Sequence, residues 1–352
     1  MLMKSVRLHG RTLPVPIIQG GMGIGVSRSR LAGAVAKEGG MGVISTAQVG
    51  YDDPEFDTDP EGANLRVLPQ QIRRAKELSG GKGLVGVNIM SVTQLYELYV
   101  KTVCEAGVDA IISGAGFPSK LPEYAAGYDV AIAPIVSSER SARVILKLWD
   151  KKYQRTADFL VIEGPRAGGH LGFSPEQLHD IDSLDYDEEI RKIIALKSVY
   201  EEKYNVDMPV FVAGGIFHAE DARHALELGA DGIQAASRFV ATEECDADEA
   251  FKQAYVQANE DDVVIIKSPV GMPGRAIRNA FVEQVASCPG GVDYCFNCLS
   301  VCSPLTAAYC ITKALINAVK GDLENGLIFC GARVGEISSI TTVHELMREL
   351  AV

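Results

Sequence analysis

One histidine lies in a glycine-rich loop, and its type and setting suit proton transfer. His170 ends the segment Glu163–His170 (EGPRAGGH), which follows a short apolar run. A neutral imidazole near pH 7 can exchange a proton, and flanking Gly168 and Gly169 would let it approach a flat cofactor closely. A histidine that only makes a hydrogen bond within a turn is the alternative. We predict a catalytic role for His170.

Two later loops contain residue types that suit an anion. Gly214 and Gly215 lack a Cβ, so backbone N–H groups there can approach a phosphate closely. Ser237, which follows Ala236, adds a hydroxyl donor. Arg238 either adds positive charge or points away into a salt bridge. Since the last two loops of a βα barrel commonly hold a phosphate, we predict a phosphate-bearing cofactor here.

Four cysteines lie close together in the sequence, at the spacing C-x6-C-x2-C-x3-C. They are Cys288, Cys295, Cys298 and Cys302. Four thiolates at this separation could hold zinc or an iron–sulfur cluster. The spacing is not that of a standard ferredoxin or zinc ribbon, and buried free thiols are the alternative. The sequence leaves the choice between a metal and no metal open.

Short β-branched runs alternate with amphipathic stretches along most of the chain. We predict eight strands, at 16–20, 42–46, 84–89, 109–113, 130–135, 158–162, 209–213 and 231–235. Helices are predicted between them, at 29–38, 65–78, 93–106, 138–151, 187–204 and 219–228. Eight such units favour an α/β fold of the closed (β/α)8 TIM-barrel type over an open doubly wound sheet. The glycine-rich loops, Asn88 and His170 then fall at the C-terminal ends of the strands, where barrels bind ligands.

The alternating pattern ends near residue 260. Residues 262–269 read as one more strand, and further helices are predicted at 275–286, 305–319 and 340–350. We predict a barrel over 1–260 and a helical, cysteine-rich region over 261–352 that packs on the barrel. No Pro/Ser-rich linker separates the two parts, so we expect them to fold together.

Charge and hydropathy exclude several classes of protein. The 352 residues include 34 Lys and Arg against 46 Asp and Glu, and the net charge of −12 disfavours nonspecific binding to nucleic acid or anionic membranes. The N-terminus lacks an apolar signal core, and no apolar run approaches about 18 residues. We therefore expect a cytoplasmic protein with no nucleic-acid or membrane partner. Without a secretory signal, the eight cysteines do not indicate a disulfide scaffold.

Four motifs follow one another in a fixed order between residues 14 and 280. They are Pro16–Met22 (PIIQGGM), Gly86–Met90 (GVNIM), Glu163–His170 and Val212–Ile216 (VAGGI). Together they resemble the nitronate monooxygenase (2-nitropropane dioxygenase) family, whose nearest relative is the FMN-dependent enoyl-acyl carrier protein reductase II. The resemblance implies a TIM barrel, over residues 1–260, that binds FMN without a covalent bond.

The resemblance also implies roles for individual residues. The backbone of Gly21, Met22 and Gly23 would lie against the flavin ring, and Asn88 would bond the flavin. The cofactor-binding set would further include Gly168, Gly169, Gly214, Gly215, Ala236 and Ser237, the last four at the phosphate. His170 matches the active-site histidine of the family, which acts as a base toward neutral nitroalkanes or, in a reductase, orients or protonates the substrate.

Three positions depart from the family pattern. Ala133–Val136 (APIV) stands where the monooxygenases often carry a lysine, and Ala236-Ser237 replaces the more familiar Gly-Thr. Arg166 replaces an acidic residue before the histidine. A cation there would bind an anionic substrate, stabilise an anionic flavin, or be solvated.

Three functions follow from these patterns. The first is an FMN-dependent oxidoreductase that oxidises alkyl nitronates with O2, with a small-molecule substrate. The second is an NAD(P)H-dependent enoyl-acyl carrier protein reductase II, which requires a basic patch for its acidic carrier partner. The candidate cations for that patch are Arg28, Arg30, Arg275 and Arg278. The third is a flavin electron-transfer protein, favoured if the cysteines hold a cluster. A homodimer stays open.

Overall fold

The computed structural model describes residues 3–352, and its centre is a closed barrel of eight parallel strands. The strands are β3 (Ile17–Gln19), β4 (Met41–Ser45), β5 (Leu84–Met90), β6 (Ala110–Gly114), β7 (Ala131–Val136), β8 (Leu160–Glu163), β10 (Val210–Ala213) and β11 (Gly232–Ala235). Neighbours in the barrel follow chain order, and β11 closes the ring by pairing with β3. The predicted (β/α)8 fold and all eight predicted strands are confirmed.

Helices follow most barrel strands and cover the outside of the barrel. They are α1 (Ser29–Lys37), α2 (Pro60–Ser79), α3 (Tyr96–Glu105), α4 (Leu121–Tyr124), α5 (Glu139–Tyr153), α6 (Pro175–His179), α7 (Tyr186–Tyr204), α8 (Ala219–Glu227), α9 (Ser237–Val240) and α10 (Glu249–Gln257). Short 3₁₀ turns occur at Ile181–Ser183, Glu260–Asp262 and Val334–Glu336. Helix α2 begins five residues before the predicted start. The reason is that the Asp59 carboxylate accepts the N–H of Gly62 and Pro60 suits the first helical turn.

A hairpin that the sequence analysis did not predict closes one end of the barrel. Its strands are β1 (Val6–Leu8) and β2 (Arg11–Leu13), which pair antiparallel. Leu8 and Leu13 are fully buried in the same apolar cluster as Met41, Phe159 and Phe211 in the barrel interior. Because this cluster fills the N-terminal half of the barrel, the C-terminal end is the one left for a ligand.

Residues 261–352 contain strands as well as helices. They form β12 (Val263–Lys267), β13 (Pro273–Ile277), α11 (Ala280–Ser287), α12 (Ile311–Val319) and α13 (Val343–Leu350). Strand β12 confirms the strand predicted at 262–269. The helix predicted at 275–286 is wrong over its first five residues, because β13 pairs with β12 on one side. The helix predicted at 305–319 begins only at Ile311.

The C-terminal region is joined to the barrel by a shared sheet. On its other side β13 pairs with β9 (Gly169–His170), which belongs to the loop after β8. Helix α13 packs against α1, α8 and α9 on the outside of the barrel. We propose that the chain folds as one unit, with the barrel over 1–260 and the cysteine-rich region over 261–352. Across the described residues, no helix is long and apolar enough to cross a membrane.

Candidate active site

A cavity opens at the C-terminal ends of the barrel strands, between the barrel loops and residues 261–352. Its walls include every residue singled out as a site residue: Gly21, Met22, Gly23, Asn88, Gly168, Gly169, His170, Gly214, Gly215, Ala236 and Ser237. Parts of the chain more than 200 residues apart thus meet in one place. Their individual roles remain predictions.

The loop after β3 lies tightly against the neighbouring strands. A Cβ added to Gly21 would lie 2.5 Å from the Asn88 Cβ, and one added to Gly23 would lie 2.7 Å from the Ser45 Oγ. The buried Ser27 hydroxyl accepts the N–H of Met22 at 2.8 Å. Because a Cβ at Gly21 or Gly23 would collide with these neighbours, the backbone of this loop itself forms part of the cavity wall.

The predicted phosphate loop has a backbone that only glycine adopts easily. Gly214 and Gly215 have φ of +86° and +105°, and a Cβ on Gly214 would lie 2.7 Å from the Gly164 carbonyl oxygen. The Ser237 Oγ accepts the N–H of Gly331 at 2.9 Å, which leaves its own proton free to donate. Arg238 points away from the cavity and donates to the Glu349 carboxylate at 2.7 and 2.9 Å.

His170 is held by the C-terminal region. Its Nε2 lies 2.7 Å from the Ser268 Oγ, and its ring meets Phe329 edge to face at 5.0 Å between centroids. The Ser268 Oγ accepts the N–H of Val270 and can also accept the Nε2–H of His170, which leaves Nδ1 as the nitrogen able to take a proton. Burial lowers the pKa of His170 to about 4. The imidazole is therefore neutral at pH 7 and able to accept a proton.

Sequence reasoning missed Ser268 and Phe329 as supports of His170. Both lie at least 98 residues from the histidine along the chain, and neither belongs to a recognisable motif. It also gave no role to Glu163, which ends β8 and lines the cavity. Burial raises the pKa of the Glu163 carboxyl to about 7. The sequence did contain a signal for Glu163, because a carboxyl group directly after an apolar strand is unusual.

Arg166 lies at the edge of the cavity beside the phosphate loop. Its Nη2 donates to the Asp182 Oδ1 at 2.6 Å, and the two side chains are 48% and 86% exposed. A Cβ added to Gly215 would lie 3.2 Å from the Arg166 Cβ. Such an exposed ion pair is weak, so Arg166 can leave Asp182 for another anion. Arg333, which the sequence analysis missed, donates to the Gly215 carbonyl oxygen at 3.2 Å.

The cysteines do not form a recognisable metal centre. Within residues 3–352, no three His, Cys, Asp or Glu side chains are arranged to hold a metal ion. Cys288 and Cys295 are exposed, whereas Cys298 and Cys302 are partly buried against an apolar cluster. Cys298 also lines the cavity, and burial raises the pKa of its thiol.

Two of the four arginines considered for a basic docking patch are buried or paired with an acidic residue. Arg275 is 2% exposed and donates to the Ala167 carbonyl oxygen inside the protein. Arg28 is paired with the Asp52 carboxylate through two hydrogen bonds of 2.6 and 2.9 Å. Only Arg30 and Arg278 of that set are exposed. Burial therefore removes Arg275 from the candidate cations, and the charge of Arg28 is balanced by Asp52.

Comparisons with known proteins agree with this architecture. The chain is 26% identical over 276 residues to the (3aS,4S,5R,7aS)-5-hydroxy-7a-methyl-1-oxo-octahydro-1H-indene-4-carboxyl-CoA dehydrogenase of Mycobacterium tuberculosis. That match covers 77% of this chain and 65% of the relative, so the chain spans less than two thirds of its length. A probable nitronate monooxygenase of Staphylococcus saprophyticus is 26% identical over 314 residues, covering 80% of this chain and 81% of the relative.

Solved structures share the fold over nearly the whole chain. FabK from Thermotoga maritima is 26% identical with a TM-score of 0.72, covering 96% of this chain and 91% of that one. Nitroalkane oxidase from Streptomyces ansochromogenes, at 20% identity and a TM-score of 0.70, covers 96% and 95% and supports the fold alone. The family model described as nitronate monooxygenase matches residues 8–352. The protein therefore belongs to the nitronate monooxygenase family of oxidoreductases.

Proposed function

We propose that this protein is an FMN-dependent oxidoreductase that oxidises alkyl nitronates with O2 as electron acceptor. The observation that carries the proposal is the meeting of four separate motifs in one cavity, with the neutral His170 in its wall. Membership of the nitronate monooxygenase family supports it. The substrate is then a small molecule, and cytoplasmic location remains our prediction.

The residues present fit FMN. Gly214, Gly215 and the free hydroxyl proton of Ser237 suit the phosphate, since a side chain on either glycine would strain the loop. The close-packed backbone at Gly21–Gly23, which leaves no room for side chains, and the nearby Asn88 suit the ring system. FMN, when bound, supplies the redox chemistry, while the protein supplies orientation and electrostatics.

His170 would act on the neutral form of the substrate. A nitroalkane must lose the proton on the carbon next to its nitro group, and the electron pair of that C–H bond then remains on the nitronate. The neutral imidazole can take this proton because its pKa of about 4 leaves it unprotonated at pH 7. A nitronate has already lost the proton and does not need the base.

A second candidate is an enoyl thioester reductase that uses NAD(P)H. The similarity to FabK and to a dehydrogenase of a CoA thioester favours it. An acyl carrier protein would need a basic surface, and the burial or pairing of Arg275 and Arg28 weighs against that partner. We therefore rank nitronate oxidation first.

The two candidate functions consume different co-substrates: a nitronate oxidase consumes O2, and an enoyl thioester reductase consumes NAD(P)H. The FMN-loaded protein is given propionate 3-nitronate in air without NAD(P)H, and O2 uptake is measured. A parallel reaction contains NAD(P)H and an enoyl thioester, and NAD(P)H oxidation is followed. We expect rapid O2 uptake in the first reaction. NAD(P)H oxidation that depends on the thioester, with no O2 uptake on nitronate, would establish the reductase, and absence of both would favour an electron-transfer protein.

A further inference from the structure

One side-chain amide in the wall of the cavity has donors without an acceptor. Gln48 lies in the loop after β4, lines the cavity and is only 7% exposed. Its Oε1 accepts a hydrogen bond from the Asn64 Nδ2 at 2.6 Å. Within residues 3–352, no group accepts a hydrogen bond from its Nε2, and this atom is not enclosed by protein, so it faces the free space of the cavity. A buried amide whose N–H groups have no acceptor is unfavourable.

The orientation of this amide follows from its neighbours. A backbone N–H can only donate, and that of Gly50 lies 2.8 Å from the end of the Asn64 amide that must therefore be the oxygen. The other end of Asn64 is then the NH2 group, which donates to the Gln48 Oε1. Asn64 belongs to α2 and is 2% exposed, so packing holds it in place. The end of Gln48 that faces the cavity is consequently its NH2 group, which donates and cannot accept.

The backbone at Gln48 is strained. Its φ is +46°, a conformation that residues other than glycine adopt rarely. The N–H of Tyr51 donates to the Gln48 carbonyl oxygen at 3.1 Å and closes the turn. Strained backbone of this kind is found at ligand sites more often than elsewhere. The turn thus carries an amide at a position where glycine would fit the backbone better.

Gln48 and His170 lie on opposite sides of the barrel mouth. The strands that precede their loops, β4 and β8, are four strands apart in either direction around the closed ring. Both residues line the same cavity, and so do the apolar side chains of Met90, Ile112 and Ile135. A substrate whose reacting carbon lies at His170 therefore extends its other end across an apolar space toward Gln48.

We propose that Gln48 binds the end of the substrate away from the nitro group, by donating hydrogen bonds from its Nε2 to an oxygen atom there. This role rests on the proposed function and narrows the substrate class to nitronates that carry a second oxygen function, a carboxylate or a carbonyl. A carboxylate would accept the stronger, charge-assisted bond. A nitronate that ends in a methyl group would leave the amide without an acceptor.

The test is steady-state O2 uptake by the FMN-loaded protein with propionate 3-nitronate and with butyl nitronate, which has a similar length but no second oxygen. We expect the wild-type KM to be about tenfold lower for propionate 3-nitronate. Gln48→Met keeps the length of the side chain without a donor, so it should remove this preference and leave kcat and the KM for butyl nitronate nearly unchanged. The nitronate of methyl 3-nitropropionate identifies the acceptor: it behaves like the acid if a carbonyl suffices, and like butyl nitronate if a carboxylate is needed.

The matched control makes the same change at another amide of the cavity. Gln94 lines the cavity and is partly exposed, and within the described part of the chain no group bonds to its side-chain amide. Gln94→Met should keep the wild-type preference. If Gln48→Met does not fold, Gln48→Glu still accepts from Asn64 but faces the substrate with an oxygen, so it should lose the preference as well.

Two kinds of failure are distinguishable. Equal KM values for propionate 3-nitronate and butyl nitronate in the wild type, or an unchanged preference in Gln48→Met, would overturn the inference. A Gln48→Met protein that binds FMN more weakly but keeps the preference would also overturn it, because the amide would then contact the cofactor. Absence of O2 uptake with every nitronate would instead reject the proposed function, and the role of Gln48 with it.

Discussion

At the scale of single residues, the loss of His170 should affect the activity on a neutral nitroalkane and the activity on its nitronate differently. We predict that His170→Ala lowers kcat/KM for a neutral nitroalkane about 10²–10⁴-fold, the range typical of a lost general base. Its activity on the preformed nitronate should change little, because no proton has to be removed. Oxygen uptake on both substrates measures the difference.

A Ser268→Ala variant is the companion to this experiment, since the Ser268 Oγ lies 2.7 Å from the Nε2 of the histidine. It should lower the nitroalkane rate less than the loss of His170 and shift the pH profile of that rate. Equal losses on nitroalkane and nitronate in His170→Ala would mean that the histidine does not act as the base.

Substitutions of Arg166 and of Asp182 should change KM in opposite directions. Because Arg166 is held only by an exposed contact with Asp182, an anionic nitronate can compete for it. Arg166→Ala should raise KM for an anionic substrate several-fold, and Asp182→Ala should lower it. Steady-state kinetics of the three proteins at constant ionic strength measure both effects. An unchanged KM in Arg166→Ala would remove this role.

Some residues of the site can be predicted from the sequence, and others cannot. Loop motifs revealed His170 and the glycines because they place unusual residue types at strand ends. Ser268 and Phe329 were not predictable, because each touches His170 only after β13 pairs with β9. The sequence left open whether Arg238 adds charge at the anion site or forms a salt bridge. The structure shows a salt bridge to Glu349, which lies 111 residues further along the chain.

At the scale of elements, the loop after β10 has a backbone shape that an added methyl group would disturb. Gly214→Ala forces an alanine to φ +86°, which costs about 1–2 kcal/mol, and brings its Cβ onto Gly164. The loop must shift to relieve this strain and the contact with Gly164, which moves its N–H groups away from the phosphate. We therefore predict that FMN Kd rises at least about tenfold, a loss of about 1.4 kcal/mol of binding free energy. Fluorescence titration measures it.

The matched control is Gly229→Ala, which lies between α8 and β11 and has a similar φ of +101°. Its Cβ would meet only the Ile194 side chain, at 3.5 Å. We expect lower stability without a change in FMN Kd. If both variants weakened FMN binding equally, the loss would reflect the fold rather than a phosphate site.

Elements with strong local signals were predictable, and those made by distant pairing were not. The eight barrel strands are short apolar runs, several of which begin right after a glycine turn, and both features can be read locally. Residues 275–279 precede apolar positions at helical spacing, yet pairing with β12 and β9 makes 273–277 a strand. The three-residue strands of the N-terminal hairpin carry too little pattern to be recognised.

At the scale of the whole molecule, α13 ties the end of the chain to the barrel. Leu346 is fully buried, and Glu349 holds Arg238 of α9. We predict that Leu346→Ala lowers the free energy of unfolding by about 2–5 kcal/mol. Leu305→Ala, at a side chain that is 97% exposed, should change it by no more than about 0.5 kcal/mol. Denaturant unfolding followed by circular dichroism measures both.

The shape of that unfolding curve also tests how the chain is organised. If residues 1–260 and 261–352 fold as one unit, Leu346→Ala moves a single transition to lower denaturant concentration. Two transitions, of which the substitution moves only one, would contradict the proposal that the two parts fold together.

The most direct test of the central claim is anaerobic mixing of the FMN-loaded protein with propionate 3-nitronate, without NAD(P)H. We predict that the visible absorption of the bound FMN is lost within the turnover time and returns when O2 is admitted, with one further cycle for each addition of nitronate. An absorption spectrum that nitronate leaves unchanged, in a protein that NAD(P)H bleaches, would contradict nitronate oxidation as the function.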